Sequence, residues 1–355
     1  MKSPILAWIW ATLRLRANER MKALRANIPR ISSSKRCVIS VGRIRCKGPG
    51  NPVSLAVAVA ILSTIASVQL ACGGAGKSFI NPNPTPTPVP ANQPTFSHVI
   101  LVVEENHKFS DVIGNSSMPY FNSLASQYGL AKQYFADGHP SMPNYLMLTT
   151  GRIETFDDNF SGTITDDNVV HELVNAGKTW KAYEESIPSA GYLGGDAPPY
   201  VRRHNPFSYL SDVQSSPSQA ANIVPFTQFA TDLVNNTLPQ YSFISPDVNN
   251  DAHDGTLAQA DAWLQSNIAP LIASSTFQNG GLLIITFDEA EDTDLDHGGG
   301  QVATVIISPK ARPNFQSETM YQHESTLRLI LSASGVNKFP GQAAAAPDMT
   351  EFFAQ

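Results

Sequence analysis

A serine that could act as a nucleophile stands in the stretch GHPSMPNYLMLTTG, residues 138–151. Ser141 precedes Pro143 and an apolar run, a pattern that predicts the start of a short helix. The first turn of a helix has free backbone N–H groups and positive potential, which favour an anionic phosphoryl group. A hydroxyl placed there attacks an ester when a metal ion or a base lowers its pKa. The alternative for Ser141 is a capping role, in which the hydroxyl only satisfies a backbone amide of the helix.

Two pairs of oxygen-bearing side chains follow apolar runs of the sequence. Glu105 and Asn106 come after HVILVVE, and Asp288 and Glu289 come after LLIITF. Carboxylate and amide oxygens are hard ligands that suit Mg²⁺, Ca²⁺ or Mn²⁺. Adjacent acids at the exit of an apolar strand repel each other unless a cation lies between them. The sequence therefore predicts a divalent metal site, with a solvated strand end as the alternative for Glu105 and Asn106.

Histidines supply candidates for proton transfer. His253, in NNDAHDG, could protonate a leaving group or orient a phosphoryl oxygen. Its alternative is a turn histidine bonded to an adjacent aspartate, such as Asp254. His139 lies beside Ser141, and His297 stands in the acidic, glycine-rich stretch EAEDTDLDHGGG, from which it could reach the site. His323, before an apolar helical pattern, is expected to be structural.

The elements that must position these residues are strands alternating with helices. Apolar runs predict strands over residues 98–104, 177–185, 241–248, 281–289 and 302–311, and period-3.6 patterns predict helices over 256–274 and 325–335. Such alternation is typical of an α/β domain with a mostly parallel sheet. In open α/β sheets the ligand crevice lies at the carboxyl ends of the strands, which is where Glu105, His253 and Asp288 fall.

Charge is distributed unevenly between the two parts of the chain. The formal net charge of −6 combines a basic N-terminal region with residues 96–355, which hold 11 basic and 29 acidic residues and thus carry −18. A surface of that sign repels polyanions, so nucleic-acid binding is not expected, and an anionic substrate needs a local cation. Cys37, Cys46 and Cys72 all precede residue 96, so the domain has no disulfide and no thiolate nucleophile.

The N-terminal third is expected to direct the protein out of the cytoplasm. Basic residues followed by NPVSLAVAVAILSTIASVQLAC are typical of an export signal, with a membrane span as the second interpretation. The sequence LAC before GG resembles a lipoprotein cleavage box with Cys72 as the lipidated residue. We therefore expect three segments, a leader and signal over 1–76, a Pro-rich linker over 77–95 and a catalytic domain over 96–355. The product would be secreted or held on the cell envelope through Cys72.

Five stretches together resemble the phosphoesterase family that holds acid phosphatases and bacterial non-specific phospholipases C. They are, in order, HVILVVEENHKFSDVIGN, GHPSMPNYLMLTTG, YSFISPDVNNDAHDG, LLIITFDEAE and YQHESTLRLI. The resemblance implies an alkaline-phosphatase-like fold, a three-layer α/β/α sandwich with a mostly parallel central sheet. It also implies that Ser141 is the nucleophile that becomes phosphorylated and that His253 is catalytic.

The same resemblance assigns the metal to Glu105, Asn106, Asp288 and Glu289. Glu289 stands where acid phosphatases often have a second aspartate. The glutamate gives this chain a longer side chain than the family pattern at the second metal ligand. Accessory roles are expected for His139, Asn144, His297 and Asp254. Ser141 is not in a GxSxG elbow, and no arginine follows the SMPN element, so an α/β-hydrolase esterase and a formylglycine sulfatase are disfavoured.

The function expected from these residues is hydrolysis of a small phosphorylated substrate, as in acid-phosphatase-like phosphomonoesterases. One alternative is a phospholipase C-like phosphodiesterase, for which Trp180, Tyr183 and Tyr192 are candidate headgroup contacts by residue type. The other is a non-catalytic surface lipoprotein that binds a phosphorylated ligand. The presence of Ser141 together with every ligand-type residue argues against that second alternative.

Overall fold

A computed structural model describes residues 37–40, 43–46 and 85–353 of the chain. The chain divides into two units, Met1–Gly76 and Lys77–Gln355. In the first unit, strand β1 (Cys37–Ser40) pairs antiparallel with β2 (Arg43–Cys46), with Cys37 opposite Cys46. The expected signal over 51–72, including Cys72, lies outside the described residues. Among the helices that the structure describes, none has the length and apolar character needed to cross a membrane.

The second unit is built on an eight-stranded sheet. Its strands are β3 (His98–Glu104), β4 (Gly129–Tyr134), β5 (Trp180–Glu184), β6 (Ile223–Pro225), β7 (Tyr241–Ser245), β8 (Gly281–Phe287), β9 (Thr304–Ile307) and β10 (Phe315–Tyr321). The strand order is β10-β4-β9-β8-β3-β7-β5-β6. β9 pairs antiparallel with β4 and β8, and the other neighbouring strands of this sheet are parallel.

Helices cover the sheet. They are α1 (Phe109–Val112), α2 (Pro119–Gln127), α3 (Ser141–Thr150), α4 (Val169–Asn175), α5 (Ser211–Gln214), α6 (Pro217–Ala220), α7 (Thr227–Val234), α8 (Leu257–Ala273), α9 (Ser275–Gln278) and α10 (His323–Ala333). Short 3₁₀ turns span Arg202–His204, Pro206–Tyr209, Gly341–Ala344 and Thr350–Phe352. One group of helices joins α3, α4 and α10, and another joins α2 and α8. The predicted three-layer α/β/α fold with a mostly parallel sheet is confirmed.

The five predicted strands and the three predicted helices, which are α3, α8 and α10, are present, while β4, β6 and β10 of this sheet were not predicted. β4 has Lys132 and Gln133 in its second half, and β6 is only three residues long. β10 is an edge strand whose burial alternates weakly, because most of its side chains face solvent. These strands lack the continuous apolar run that marks β3 and β8, both of which are buried along almost their whole length.

Helix α3 begins at Ser141 and ends at Thr150, and Gly151 caps it in the left-handed conformation with φ 67°. Asn144 reaches back from the first turn, accepting from the backbone N–H of Asp137 and of Gly138 at 2.9 and 3.2 Å and donating to Gly138 O. The loop before the helix is thereby fixed, because its amides bond to a side chain of the helix itself. All ten residues of α3 are buried, so Ser141 has little freedom to move.

Replacing Gly151 by alanine is expected to destabilise the fold more than the same change at Gly177. Both glycines have left-handed φ angles, 67° and 68°. That conformation costs a residue with a Cβ about 1–2 kcal/mol. A Cβ at Gly151 would also lie 2.4 Å from Pro340 O, whereas nothing lies within 4 Å at Gly177. Urea unfolding of the two variants measures the difference, and equal losses would contradict the close approach at Gly151.

Residues 85–95, called the strap, lie along the domain before β3. Thr87 donates its N–H to Ala344 O at 2.8 Å. Arg328, buried on α10, donates to Ala343 O and Ala344 O from one guanidinium nitrogen and to Thr87 O and Pro88 O from another. A buried guanidinium is tolerated when its donors are satisfied, and here four backbone carbonyls satisfy them. The second half of the expected linker is therefore bound to the domain.

Candidate active site

The ends of β3, β7 and β8 meet at one edge of the sheet. β3 and β8 are paired from His98 opposite Gly281 to Glu104 opposite Phe287, so Glu105 and Asp288 leave the sheet side by side. Asp288 donates its N–H to Glu104 O at 2.8 Å, and Glu105 donates to Asp251 O at 2.8 Å. The convergence predicted for the strand ends is thus present for Glu105, Asp288 and the turn after β7.

Ser141 lies between carboxylates that come from two different strands. Its hydroxyl is within hydrogen-bond distance of Glu105 Oε2 at 3.1 Å and of Glu289 Oε1 at 3.2 Å. Burial raises the pKa of the Asp288 carboxyl, and the Ser141 hydroxyl is one of the groups that lower it. Ser141 is only 2% exposed. Its side chain does not accept from the helix amides, so the predicted capping alternative does not describe it.

Asp288 has one satisfied and one unsatisfied carboxylate oxygen. Oδ1 accepts from the N–H of Asn106 at 3.2 Å and of Glu289 at 2.6 Å. Oδ2 is buried and has no hydrogen-bond partner among the described residues. Burial and repulsion from Glu289 hold the pKa of Asp288 well above its usual range. Burial, followed by repulsion from Asp288 and Asp251, raises the pKa of Glu105 in the same way.

These carboxylates fit a divalent cation. Removing several acids from water is unfavourable unless positive charge compensates them, and hard oxygens are the ligands that Mg²⁺, Ca²⁺ and Mn²⁺ prefer. Asp288 Oδ2 supplies an oxygen with no other bond. Of the predicted ligands, Glu105, Asp288 and Glu289 surround Ser141, while Asn106 has φ 60° and bonds to Asp288 through its backbone N–H.

In the described part of the chain, three groups of residues have ligand atoms that all lie within 4.8 Å of one another, and the set of Glu105, Asp288 and Glu289 is not among them. They are Glu105 with His204 and His253, His139 with Glu289 and Asp292, and Asp167 with His171 and Glu172. The first two adjoin Ser141. In the third, Lys338 already pairs with Asp167 and Glu172, so the structure provides its counter-charge.

His139 is bonded at both ring nitrogens. Nδ1 lies 2.5 Å from Glu289 Oε2, and Nε2 lies 2.8 Å from the carbonyl oxygen of Asp294. Both partners offer acceptor oxygens, so a protonated ring would donate from both of its nitrogens. The bond to Glu289 raises the pKa of His139 accordingly. Glu289 therefore contacts both His139 and Ser141.

Three residues beside Glu105 were not among the predicted site residues. His204 Nε2 lies 3.2 Å from Glu105 Oε1, and Nδ1 lies 3.2 Å from Asp251 Oδ2. Tyr145 of α3 donates its hydroxyl to Glu105 Oε1 at 2.6 Å and stacks on the His204 ring at a centroid distance of 5.0 Å. Burial lowers the pKa of His204 well below its usual value and raises that of Asp251 to about 7. Neither ring nitrogen of His204 makes a hydrogen bond among the described residues, so the ring is held beside Glu105 by its stacking on Tyr145.

Arg203 is a cation that lies beside His253. Its Nη2 donates to His253 Nε2 at 3.0 Å, and its Nε lies 3.7 Å from Asp158 Oδ2. Asp158 also accepts from the N–H of Met142, the residue after Ser141, at 3.1 Å. The sequence signal was the Arg202-Arg203 pair, the only adjacent basic residues in an acidic domain.

His253 lies at the site, on the turn after β7. Its Nδ1 is bonded to Asp254 Oδ1 at 2.8 Å, so the two predicted residues are in contact with each other. This is also the bond to an adjacent aspartate that the turn alternative predicted. Since Nε2 accepts from the guanidinium of Arg203, the ring carries its proton on Nδ1. His253 N also donates to Asp251 Oδ1 at 2.8 Å, so the whole turn is fixed to the site.

Other predicted residues lie elsewhere or act on the backbone. His297 stacks on Phe135 at 4.0 Å and pairs with Asp296, with no contact to Ser141 seen in residues 85–353. Asn144 bonds to the loop before α3, as described above. Trp180 is buried against Phe207, and Tyr183 is buried on Asp232, so neither can contact a headgroup.

His323 has the structural role expected for it. Burial lowers the pKa of His323 to about 4, so its ring is neutral. Nε2 lies 2.6 Å from Asp288 O and Nδ1 lies 3.1 Å from the hydroxyl of Tyr134. The ring therefore donates to Asp288 and supports that residue from behind.

Known proteins resemble the chain in both sequence and fold. A model of the phosphoesterase family matches residues 115–337. The phosphatidylinositol-3-phosphatase of Mycobacterium tuberculosis is 33% identical over 300 residues, which are 83% of this chain and 94% of that protein. A probable acid phosphatase of Kluyveromyces lactis is 32% identical over 244 residues, 66% of this chain, and the match spans only 57% of the yeast protein.

Two solved structures share the fold at low sequence identity. A protein of the alkaline phosphatase superfamily from Vibrio parahaemolyticus gives a TM-score of 0.50 at 12% identity, over 72% of this chain and 70% of its own. The lipoteichoic acid synthase LtaP from Listeria monocytogenes gives 0.51 at 9% identity, over 70% of this chain and 74% of its own. At these identities the likeness concerns the arrangement of strands and helices only.

Proposed function

The chain belongs to the phosphoesterase family and hydrolyses phosphoric ester bonds, and from this premise we propose that it is a phosphomonoesterase with Ser141 as its nucleophile. The observation that carries the proposal is the Ser141 hydroxyl, at 3.1 and 3.2 Å from Glu105 and Glu289 at the first residue of α3. The names of the mycobacterial and yeast relatives support a phosphorylated substrate.

In the proposed reaction, the Ser141 oxygen forms a bond to phosphorus as the bond from phosphorus to the leaving oxygen breaks. The hydroxyl proton passes to one of the carboxylates that it faces, and the leaving alkoxide takes up a proton to become the alcohol. Water then cleaves the phosphoserine, which restores Ser141 and releases inorganic phosphate. A divalent ion held by Glu105, Asp288 and Glu289 would supply electrostatic stabilisation of the phosphoryl oxygens and a lower serine pKa.

Two features of the chain support binding of the phosphoryl group beside Ser141. Helix α3 begins at Ser141, and the positive potential at the start of a helix favours an anion beside that residue. Arg203 provides the cation in this proposal, because its guanidinium can release His253 and bind a phosphoryl oxygen instead. His253 Nε2 is then free to face the leaving group.

Replacing Arg203 by glutamine is expected to raise KM for a phosphate monoester roughly 10- to 100-fold, because a charge-assisted hydrogen bond contributes about 1.5–3 kcal/mol. Arg203→Lys keeps the charge but loses the forked donor set, so it should recover only part of the affinity. Arg312→Gln is the matched control, because Arg312 packs on Phe315 away from the site. Steady-state kinetics on p-nitrophenyl phosphate measure all three, and an Arg203→Gln variant with unchanged KM would remove the arginine from substrate binding.

The proposed function is tested with the full chain, chelated and then supplied with Mg²⁺, Mn²⁺ or Ca²⁺. We expect release of p-nitrophenol from p-nitrophenyl phosphate only when a divalent ion is present. Bis-p-nitrophenyl phosphate, a diester, should turn over at least about 100-fold more slowly, since it presents one anionic oxygen fewer to the cations of the site. A faster diester rate would favour the phospholipase C-like alternative, and metal-independent turnover would contradict the metal assignment.

We further propose that the protein works outside the cytoplasm, secreted or attached to the cell envelope through Cys72. The apolar, small-residue-rich stretch over residues 51–72 supports this location. Residues 77–95 would then separate the anchor from the catalytic domain over 96–355. Mass spectrometry of the mature N-terminus measures the outcome, and an unmodified chain that retains residues 1–72 would contradict it.

A further inference from the structure

A cavity of about 430 Å³ is lined by residues of helices α7 and α8, outside the site of the proposed reaction. Its apolar walls are Phe226, Phe229, Ala230, Leu233 and Pro270. Pockets that bind small molecules have volumes of about 300–1,000 Å³ and mostly apolar walls with a few polar groups. The volume equals that of about fourteen water molecules in the liquid, which suits a molecule with one six-membered ring and a short chain.

Aromatic side chains are grouped at one side of this cavity. The Phe226 ring stacks on the Phe229 ring at a centroid distance of 5.6 Å and lies 4.9 Å from the Trp263 ring. Phe226 is only partly buried, so its ring is accessible from the cavity that it lines. The face of an aromatic ring is electron-rich and attracts cations. This wall therefore favours a ligand that is apolar, positively charged or both.

Glu185 supplies the charge of the cavity, and among the described residues that line it no other residue is charged. Oε1 accepts from Trp263 Nε1, and Oε2 accepts from the N–H of Asp247 and from Asn250 Nδ2, each at 3.0 Å. These donors are neutral, and within residues 85–353 no basic side chain forms an ion pair with Glu185. Because a carboxylate accepts about four hydrogen bonds, Glu185 has room for a further donor and its charge is not compensated.

Helix α8 offers a second acceptor at the wall. Pro270 lies inside this helix and has no N–H to donate to Ser266 O, which is the bond that an α-helix makes at that spacing. Both residues line the cavity. The carbonyl oxygen of Ser266 therefore keeps acceptor capacity that a ligand N–H can use.

The charge of the walls selects among ligands of this size. An anionic ligand would be repelled by Glu185, and by the excess of acidic residues in the domain as a whole. A neutral ligand would cover Glu185 without supplying the positive charge that this carboxylate lacks. A cation with an apolar body compensates Glu185 and also packs on the aromatic wall, so it fits best.

We propose that this cavity binds a small organic cation, an ammonium group on a ring-sized apolar body. Glu185 binds the ammonium group, with Ser266 O as a further acceptor, and Phe226 and Phe229 pack against the apolar body. The site does not depend on the proposed function, because binding here needs neither Ser141 nor a metal ion.

The experiment titrates the full chain with three compounds of similar shape, 2-phenylethylammonium, 2-phenylethanol and 3-phenylpropanoate, with calorimetry as the signal and Mg²⁺ present throughout. The cation should bind at least about tenfold more tightly than the alcohol, because it adds a charge-assisted hydrogen bond and a cation–π contact. The anion should not bind. Glu185→Gln should reduce the preference for the cation toward one, and Glu318→Gln, an acid-to-amide change at an exposed residue, should leave it at the wild-type value.

A second variant locates the ligand and leaves Glu185 in place. Ala230 is exposed on α7 and lines the cavity, so Ala230→Phe should fill the space and abolish binding of both the cation and the alcohol. Urea unfolding checks the fold of Glu185→Gln, because Glu185 also holds Asp247 and Asn250 of the turn after β7.

Three results would overturn the proposal. They are equal affinities of the three compounds for the wild type, no binding of the cation, and binding of the cation that Ala230→Phe leaves unchanged. Cation binding in a chain that hydrolyses no phosphate ester would support the cavity and remove only the proposed function. Hydrolysis of esters without cation binding would do the reverse.

Discussion

Replacing Ser141 by alanine is expected to reduce turnover of p-nitrophenyl phosphate at least roughly 10³-fold, because loss of a nucleophile removes the covalent route altogether. The alanine leaves Glu105 and Glu289 without the hydroxyl that lies 3.1 and 3.2 Å from them. Ser266→Ala is the matched control, since Ser266 is an exposed serine of α8 that bonds only to Ala262 O. Its turnover should equal that of the wild type.

A second measurement on the same variant tests whether Ser141 is the attacking group. Acid quenching during turnover should trap a phosphate on the peptide that contains Ser141 in the wild type, and mass spectrometry should find none in Ser141→Ala. Turnover that survives the substitution, or a phosphate trapped on another residue, would rule out Ser141 as the attacking group. Urea unfolding of the variant separates a lost nucleophile from a damaged fold.

Replacing Asp288 by asparagine is expected to have opposite effects on activity and on stability. Turnover should fall at least about 10³-fold, because a principal oxygen of the metal site becomes neutral. The metal-free protein should gain about 1–3 kcal/mol in its free energy of unfolding. Asp288 Oδ2 is buried, receives no hydrogen bond among the described residues and is repelled by Glu289. An asparagine side chain is uncharged, and its amide N–H groups can donate to the neighbouring carboxylates.

Urea unfolding with and without Mg²⁺ measures the free energy of unfolding of the wild type and of Asp288→Asn in the metal-free and metal-bound states. Added metal should stabilise the wild type in proportion to its binding, and should have little effect on Asp288→Asn. Glu318→Gln, an acid-to-amide change at an exposed residue, serves as the control. Its free energy of unfolding should change by no more than about 0.5 kcal/mol in either condition. An Asp288→Asn variant that is less stable than the metal-free wild type would contradict the absence of a partner for Oδ2.

The part of the site that could be predicted from sequence is the part that local pattern determines. Glu105 and Asp288 follow the two most apolar strands, and parallel strands end at one edge, so their meeting follows from topology. Ser141 stands at a recognisable helix start. Each of these predictions needs only a short window of residues and the rule that joins strands into a sheet.

His204 and Arg203 could not be predicted in this way. They lie on a 3₁₀ turn of three residues, which has no periodicity that a sequence pattern can reveal. His204 reaches Glu105 because Tyr145 stacks on it from α3, and this is a contact between residues 59 positions apart. Edge strand β10 was missed for a related reason, since an exposed strand has no core face to mark it in the sequence.

The hydrogen bonds from Arg328 to the strap determine where a pulling force on the N-terminal part of the chain acts on the catalytic domain. Tension applied to the chain before residue 85 meets the bonds of Thr87 and Pro88 to Arg328 and Ala344 first. The force therefore passes into α10 and the segment after it, whereas β3 begins eleven residues further on and carries Glu105 at its far end. A pull on the chain before residue 85 thus loads Arg328 and α10 before it loads β3, and α10 contacts the site through the bond from His323 to Asp288 O.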